Sequence, residues 1–158
     1  MHTDLVYALA VGIGIVAGLR SLTAPAAVSW AARLGWLDLH GSSLAFMGST
    51  AALAIFSLLA VAEYVADLLP STPRRTTPGP LLARIVMGGL SGASLCAAAG
   101  RSVPLGAVLG GVGGAIGAFA GYEARTRLVK ALGVKDHGIA LAEDVVAIVL
   151  AWVLVSRP

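Results

Sequence analysis

The chain has 158 residues, of which 58% are hydrophobic and only 12% are charged, with a formal net charge of +3. Soluble domains carry roughly twice that charged fraction, and a domain this small cannot bury so much apolar surface in one core, so a soluble fold is excluded. Nucleic-acid binding is excluded too, because the basic residues are scattered between apolar runs instead of forming a stripe with interleaved aromatics; anionic membrane lipids account for them better.

The first apolar segment runs from Leu5 to Trp30. Its leading residues MHTD lack the positive charge of a secretory signal, so it reads as a retained membrane helix, and no prenylation or myristoylation signal accompanies it. Arg20 and Pro25 interrupt this segment and predict a break or kink. A second segment, Leu44 to Leu69, carries Glu63 and Asp67 toward its end. The proline-rich stretch PSTPRRTTPGP then forbids a continuous helix and reads as an exposed connection. A third segment, Leu81 to Gly100, has Arg84 near its start; a fourth, Val103 to Tyr122, has no charge; a fifth, Ile139 to Ser156, holds Glu143 and Asp144 in its first third. The expectation is an all-α membrane protein, one polytopic domain over residues 1–158 with about five transmembrane helices.

Five crossings place Arg74, Arg75, Arg84, Arg125, Arg127, Lys130 and Lys135 on the side of the N-terminus, against Arg33, Arg101 and Arg157 on the other. The positive-inside rule then puts the N-terminus in the cytoplasm and the C-terminus outside. A repeat is also visible. GIVAGLR (Gly14 to Arg20) leads to ARLGWLDLHG and segment two, while GAFAGYEAR (Gly117 to Arg125) leads to KALGVKDHG and segment five. With segment three as connector, an odd number of crossings separates the copies and predicts an inverted-topology repeat of helices 1–2 and 4–5, as in many transporters. Chance recurrence of turn chemistry in a glycine-rich chain is the alternative. The spacings Gly14/Gly18, Gly88/Gly92, Gly110/Gly114 and Gly113/Gly117/Gly121 form small-xxx-small ridges, read first as close helix packing and second as a pore lining.

Charges inside membrane helices are costly, roughly 2.5–3.5 kcal/mol each at a helix centre on insertion scales, and mark function by default. Glu63 and Asp67 share one helix face at four-residue spacing, and Glu143 and Asp144 fall on the same side of the bilayer. With Arg84 as partner and Arg20 beside the helix break, these six residues are the candidate substrate or ion pathway. The other reading is an interfacial salt-bridge network, which suits Glu123, Arg125 and Arg127 in particular. Cys96 lies alone in an apolar run, and His2, His40 and His137 form no metal-ligand spacing, so no metal and no cofactor is assigned. No nucleophile elbow, Walker loop or zincin motif is present, which argues against an enzyme.

The blocks GLRSLTAPAAVSWAARLGWL, AEYVADLLPSTPRRTTPGPLLAR and LAEDVVAI (Gly18–Leu37, Ala62–Arg84 and Leu141–Ile148) resemble the domain of unknown function 4126 family. The resemblance implies a small polytopic protein of a bacterial inner membrane and brings no catalytic residue or substrate with it. The function expected from the residues is a transporter or channel for a small solute or ion; the alternative is a structural or accessory membrane protein whose charges form interfacial salt bridges. Membrane lipids, the transported solute and a second copy of the chain are the expected partners.

Overall fold

The computed structural model describes residues 3–67, 76–133 and 136–156. His2, Arg74, Arg75, Lys135 and Arg157, named above, lie outside the described residues. Within them the chain forms six α-helices: α1 (Thr3–Leu19), α2 (Thr23–Arg33), α3 (Thr50–Asp67), α4 (Pro78–Ala98), α5 (Val103–Leu132) and α6 (Asp136–Val155), with a 3-10 turn at Ala45–Gly48 before α3. Helices α3 to α6 are long and apolar enough to cross a bilayer, and α1 is a shorter apolar helix of 17 residues. This is the helical architecture of a membrane protein.

Local chemistry sets the boundaries. In an unbroken helix, the Pro25 ring would collide with the Ser21 carbonyl and offer it no N–H. The chain therefore leaves α1 after the bond from Arg20 N–H to the Val16 carbonyl and restarts at Thr23, where Pro25 falls in the first turn and needs no intrahelical acceptor. Ser49 opens α3, its hydroxyl accepting from Ala52 N–H at 3.1 Å. Pro78 occupies the first turn of α4, so this helix begins earlier than the expected Leu81. Helix α5 runs ten residues past the expected Tyr122 to Leu132, where Gly133 stops it at φ 60°. Charges begin at Glu123, but EARTRLVKAL contains no helix breaker, so the apolar span ends before the helix does.

The core is a glycine seam joining α1, α4 and α5. A Cβ added to Gly14 would collide with the Gly110 carbonyl, and one added to Gly88 would lie 2.5 Å from the same oxygen. At Gly18 it would stand 2.5 Å from the Gly114 oxygen, and at Gly92 2.5 Å from that of Gly106. Backbones this close leave no lumen between these helices, so the ridges serve packing.

The same contacts fix directions. Gly14 faces Gly110 and Gly18 faces Gly114, so α1 and α5 run parallel; Gly88 faces Gly110 and Gly92 faces Gly106, so α4 runs against them. Helix α2 does not continue α1 outward but folds back: Trp36, just beyond it, packs edge-on against Trp152 near the end of α6, while Arg20, just before it, meets Asp144 near the start of α6. Helix α3 then runs antiparallel to α2, with Thr23 against Tyr64 and Trp30 against Ser57.

Two expectations are corrected by this hairpin. The return pass of α2 adds one reversal, so the glycine-rich helices α1 and α5 are parallel, and the inverted repeat, which requires them antiparallel, does not hold. For the same reason the start of α1 is at the opposite end of the bundle from Arg84, Arg125 and Arg127: Val6 and Ala10 pack with Cys96 near the end of α4. The two DHG motifs also differ locally. Asp38 accepts from His40 N–H in a turn, whereas Asp136 to Gly138 open α6.

Replacing Gly110 with Val should destabilise the protein by about 3 kcal/mol or more, since the neighbours in the way are backbone atoms. Gly138→Ala, at a site open around the added carbon, should leave the unfolding transition in detergent unchanged. Single cysteines placed at Asp4 and Gly41 should be labelled from one side of a proteoliposome and one at Arg127 from the other; opposite-sided labelling of Asp4 and Gly41 would contradict the α1–α2 hairpin.

Candidate functional site

The break between α1 and α2 leaves backbone groups without helical partners inside the bundle, where water cannot replace them. Two charged side chains from other helices take their place. Glu63, on α3, receives the N–H of Ser21 (2.9 Å) and the Ser21 hydroxyl (2.7 Å) on one carboxylate oxygen, and the Leu22 N–H (2.9 Å) on the other. An anion thus sits at the N-terminus of α2, where the helix dipole favours it. Arg84, on α4, donates from Nε to the Gly18 carbonyl at 3.1 Å, placing a cation at the C-terminus of α1. The two caps are 3.6 Å apart and neutralise one another.

Arg20 occupies the break itself and is 1% exposed. Its Nη2 donates to Asp67 Oδ2 at 2.8 Å and lies 2.5 Å from Asp144 Oδ1, and its guanidinium stands over the Tyr64 ring at 5.6 Å from the centroid. The contact with Asp144 is ionic without hydrogen-bond geometry, and both Asp144 Oδ1 and Arg20 Nε are buried without a hydrogen-bond partner. Arg125, on α5, donates to the same Asp67 oxygen at 2.8 Å and lies 3.7 Å from Glu143 on α6. Tyr64 and Thr23 hydroxyls are joined at 2.6 Å, fastening α3 to α2.

Each helix therefore contributes to one cluster, or, for α1 and α2, the break between them does. Arg84 is the seventh residue of α4 and Asp144 the ninth of α6, so the charges lie about 10 Å inward from those helix starts. Cations and anions alternate through it, which lets so many charges leave water together. Among the described residues no set of three or more His, Cys, Asp and Glu side chains is placed to hold a metal ion.

All six residues singled out in the sequence, Arg20, Glu63, Asp67, Arg84, Glu143 and Asp144, meet here. The sequence reading placed Arg125 with Glu123 and Arg127 in a surface network; the structure separates them. Glu123 and Arg127 pair at 2.7 Å on an exposed face one turn apart, while Arg125 turns inward. The helical phase was the available signal: Arg125 lies eleven residues after Gly114, on the same ridge of α5. Tyr64 was not singled out, since an isolated hydroxyl carries no pattern.

Fold and site together define a small helical membrane protein built around an internal ion network. The chain belongs to the family designated domain of unknown function DUF4126, whose model matches residues 7–158. No curated protein and no solved structure matches it.

Asp67→Asn leaves two arginines facing a neutral amide, so it should lower stability by about 3 kcal/mol, the scale for breaking a buried pair. Glu123→Gln, on the exposed pair, should cost less than about 1 kcal/mol. Unfolding of both variants in mixed micelles checks the contrast.

Proposed function

We propose that this chain is a small multi-pass transporter of the bacterial inner membrane, working as a carrier for a small ion or solute, with the cluster at the α1–α2 break as its coupling site. The observation that carries the reading is Arg20: a buried guanidinium beside a discontinuous helix, shared between carboxylates on two different helices, Asp67 on α3 and Asp144 on α6. Charges are retained at such depth chiefly where they bind or relay something, and helix breaks expose backbone groups that serve the same end. A carrier suits the geometry better than an open channel, because the glycine seam closes α1, α4 and α5 against one another. Movement would then involve α2, α3 and α6, which are joined to that seam partly through ion pairs. The excess of Arg and Lys at the cluster end favours that end as the cytoplasmic one. This reading assigns no catalytic chemistry.

A second reading is favoured by one specific observation: the charges satisfy broken helix ends and one another, which is what a purely structural interlock requires. On that reading the protein is an accessory or scaffolding component of the membrane.

Glu143→Gln keeps size and hydrogen-bonding capacity while removing charge, and it separates the two. In liposomes loaded to report protons, sodium, potassium, chloride or phosphate, the wild type should carry one of these. The variant should lose at least about tenfold of that rate, equivalent to 1.4 kcal/mol of barrier, with an unchanged unfolding midpoint. No flux of any probe by the wild type, or flux unaffected in the variant, leaves the structural reading standing.

A further inference from the structure

The connection between α2 and α3 takes no part in the charge cluster. It lies at the end of the bundle away from the charge cluster. Its residues LGWLDLHG are firmly built: Trp36 N–H and Leu37 N–H both reach the Ala31 carbonyl, Gly35 and Gly41 take φ 78°, and Leu37 and Leu39 are buried against Met47. Between this loop and the start of α3 is a cavity of about 320 Å³. Leu37, Leu39 and Ala45 contribute apolar surface to it, and Arg33, His40 and Ser49 supply its polar groups.

We propose that this cavity binds the phosphate-bearing headgroup of an anionic membrane lipid. Charge comes first. Arg33 is exposed and makes no ion pair among the described residues, so its guanidinium is open to a phosphate, the oxyanion its planar fork suits best. His40 donates its backbone N–H to Asp38, and its ring makes no hydrogen bond among the described residues. Ser49 accepts from Ala52 N–H, so its hydroxyl proton is available to donate into the cavity. The start of α3 adds the positive end of its helix dipole, supporting the same sign of ligand.

Position comes second, and it selects a lipid over a soluble anion. All three tryptophans of the chain are grouped toward this end, Trp30 and Trp36 within a few residues of Arg33 and Trp152 against Trp36, and each is between 40% and 47% exposed. Half-exposed tryptophans at one end of a helical bundle form the aromatic belt of a membrane interface, at headgroup level. Leu34 and Phe46, both about half exposed beside the cavity, offer an apolar surface for the first methylenes of acyl chains. A cationic cavity with an apolar floor and an aromatic rim, set at that depth, matches a lipid phosphate with its chains attached.

The test is a titration of purified protein in a neutral detergent with short-chain phosphatidylglycerol, read by tryptophan fluorescence. Saturable binding is expected. Arg33→Gln combined with His40→Gln should weaken it by about tenfold, the loss of one charge-assisted contact, and Arg127→Gln at the far end should leave it unchanged. Circular dichroism checks that the double variant is folded; should it not be, Ser49→Ala is the replacement and should weaken binding by about threefold. Short-chain diacylglycerol, which lacks the phosphate, should not bind. Inorganic phosphate binding as tightly as the lipid would overturn the lipid assignment in favour of a free anion. Binding of diacylglycerol equal to that of phosphatidylglycerol, or full affinity in the folded variant, would overturn the site.

Discussion

A helix cut inside a membrane protein exposes donors on one side of the cut and acceptors on the other, each costing several kcal/mol if left unpaired away from water. The rest of this molecule is arranged around that constraint. Glu63 closes the donor side and Arg84 the acceptor side, each with the sign of charge that its helix end prefers. Because the caps come from α3 and α4, the break draws those helices to the end of α1 and sets their depth. Arg20, carried into the interior by the turn between α1 and α2, then needs anions of its own, and Asp67 and Asp144 bring in α3 again and α6. One interruption in the first apolar segment thus dictates where the charges of three later helices, α3, α4 and α6, must lie.

The sequence announced the break and did not announce where the chain went next. Arg20 and Pro25 mark a discontinuity by their chemistry alone, since a proline ring excludes its preceding turn. Whether the chain then kinks onward or doubles back depends on Glu63 and Arg84, more than forty residues away, and hydropathy is the same in both cases. That single unknown propagated. An onward α2 makes the first and fourth apolar segments antiparallel and yields an inverted repeat; a returning α2 makes α1 and α5 parallel. The glycine ridges were legible because their period is local and their purpose, backbone approach, needs no partner to be named. Burial of Arg125 could be read only by carrying the Gly114 ridge eleven residues onward along α5, beyond the apolar span in which the glycine spacing is visible.

The molecule divides into a part held by contact and a part held by charge. Along α1, α4 and α5 the backbones touch through glycine, so any relative slide must lift one carbonyl over another, and close-packed interfaces of this kind behave as rigid units. Helices α2, α3 and α6 meet that frame over less surface and are fastened to it at the cluster, where an ion pair can be exchanged for another without opening a void. Arg20 already lies between two carboxylates on separate helices, so a shift of α3 relative to α6 changes which of them it favours, while its charge stays compensated. The opposite end has the reverse character: three half-exposed tryptophans and a tightly turned loop occupy it. On the carrier reading proposed above, a helix that pivots about that aromatic end is displaced most at the charged one, where the polar groups are.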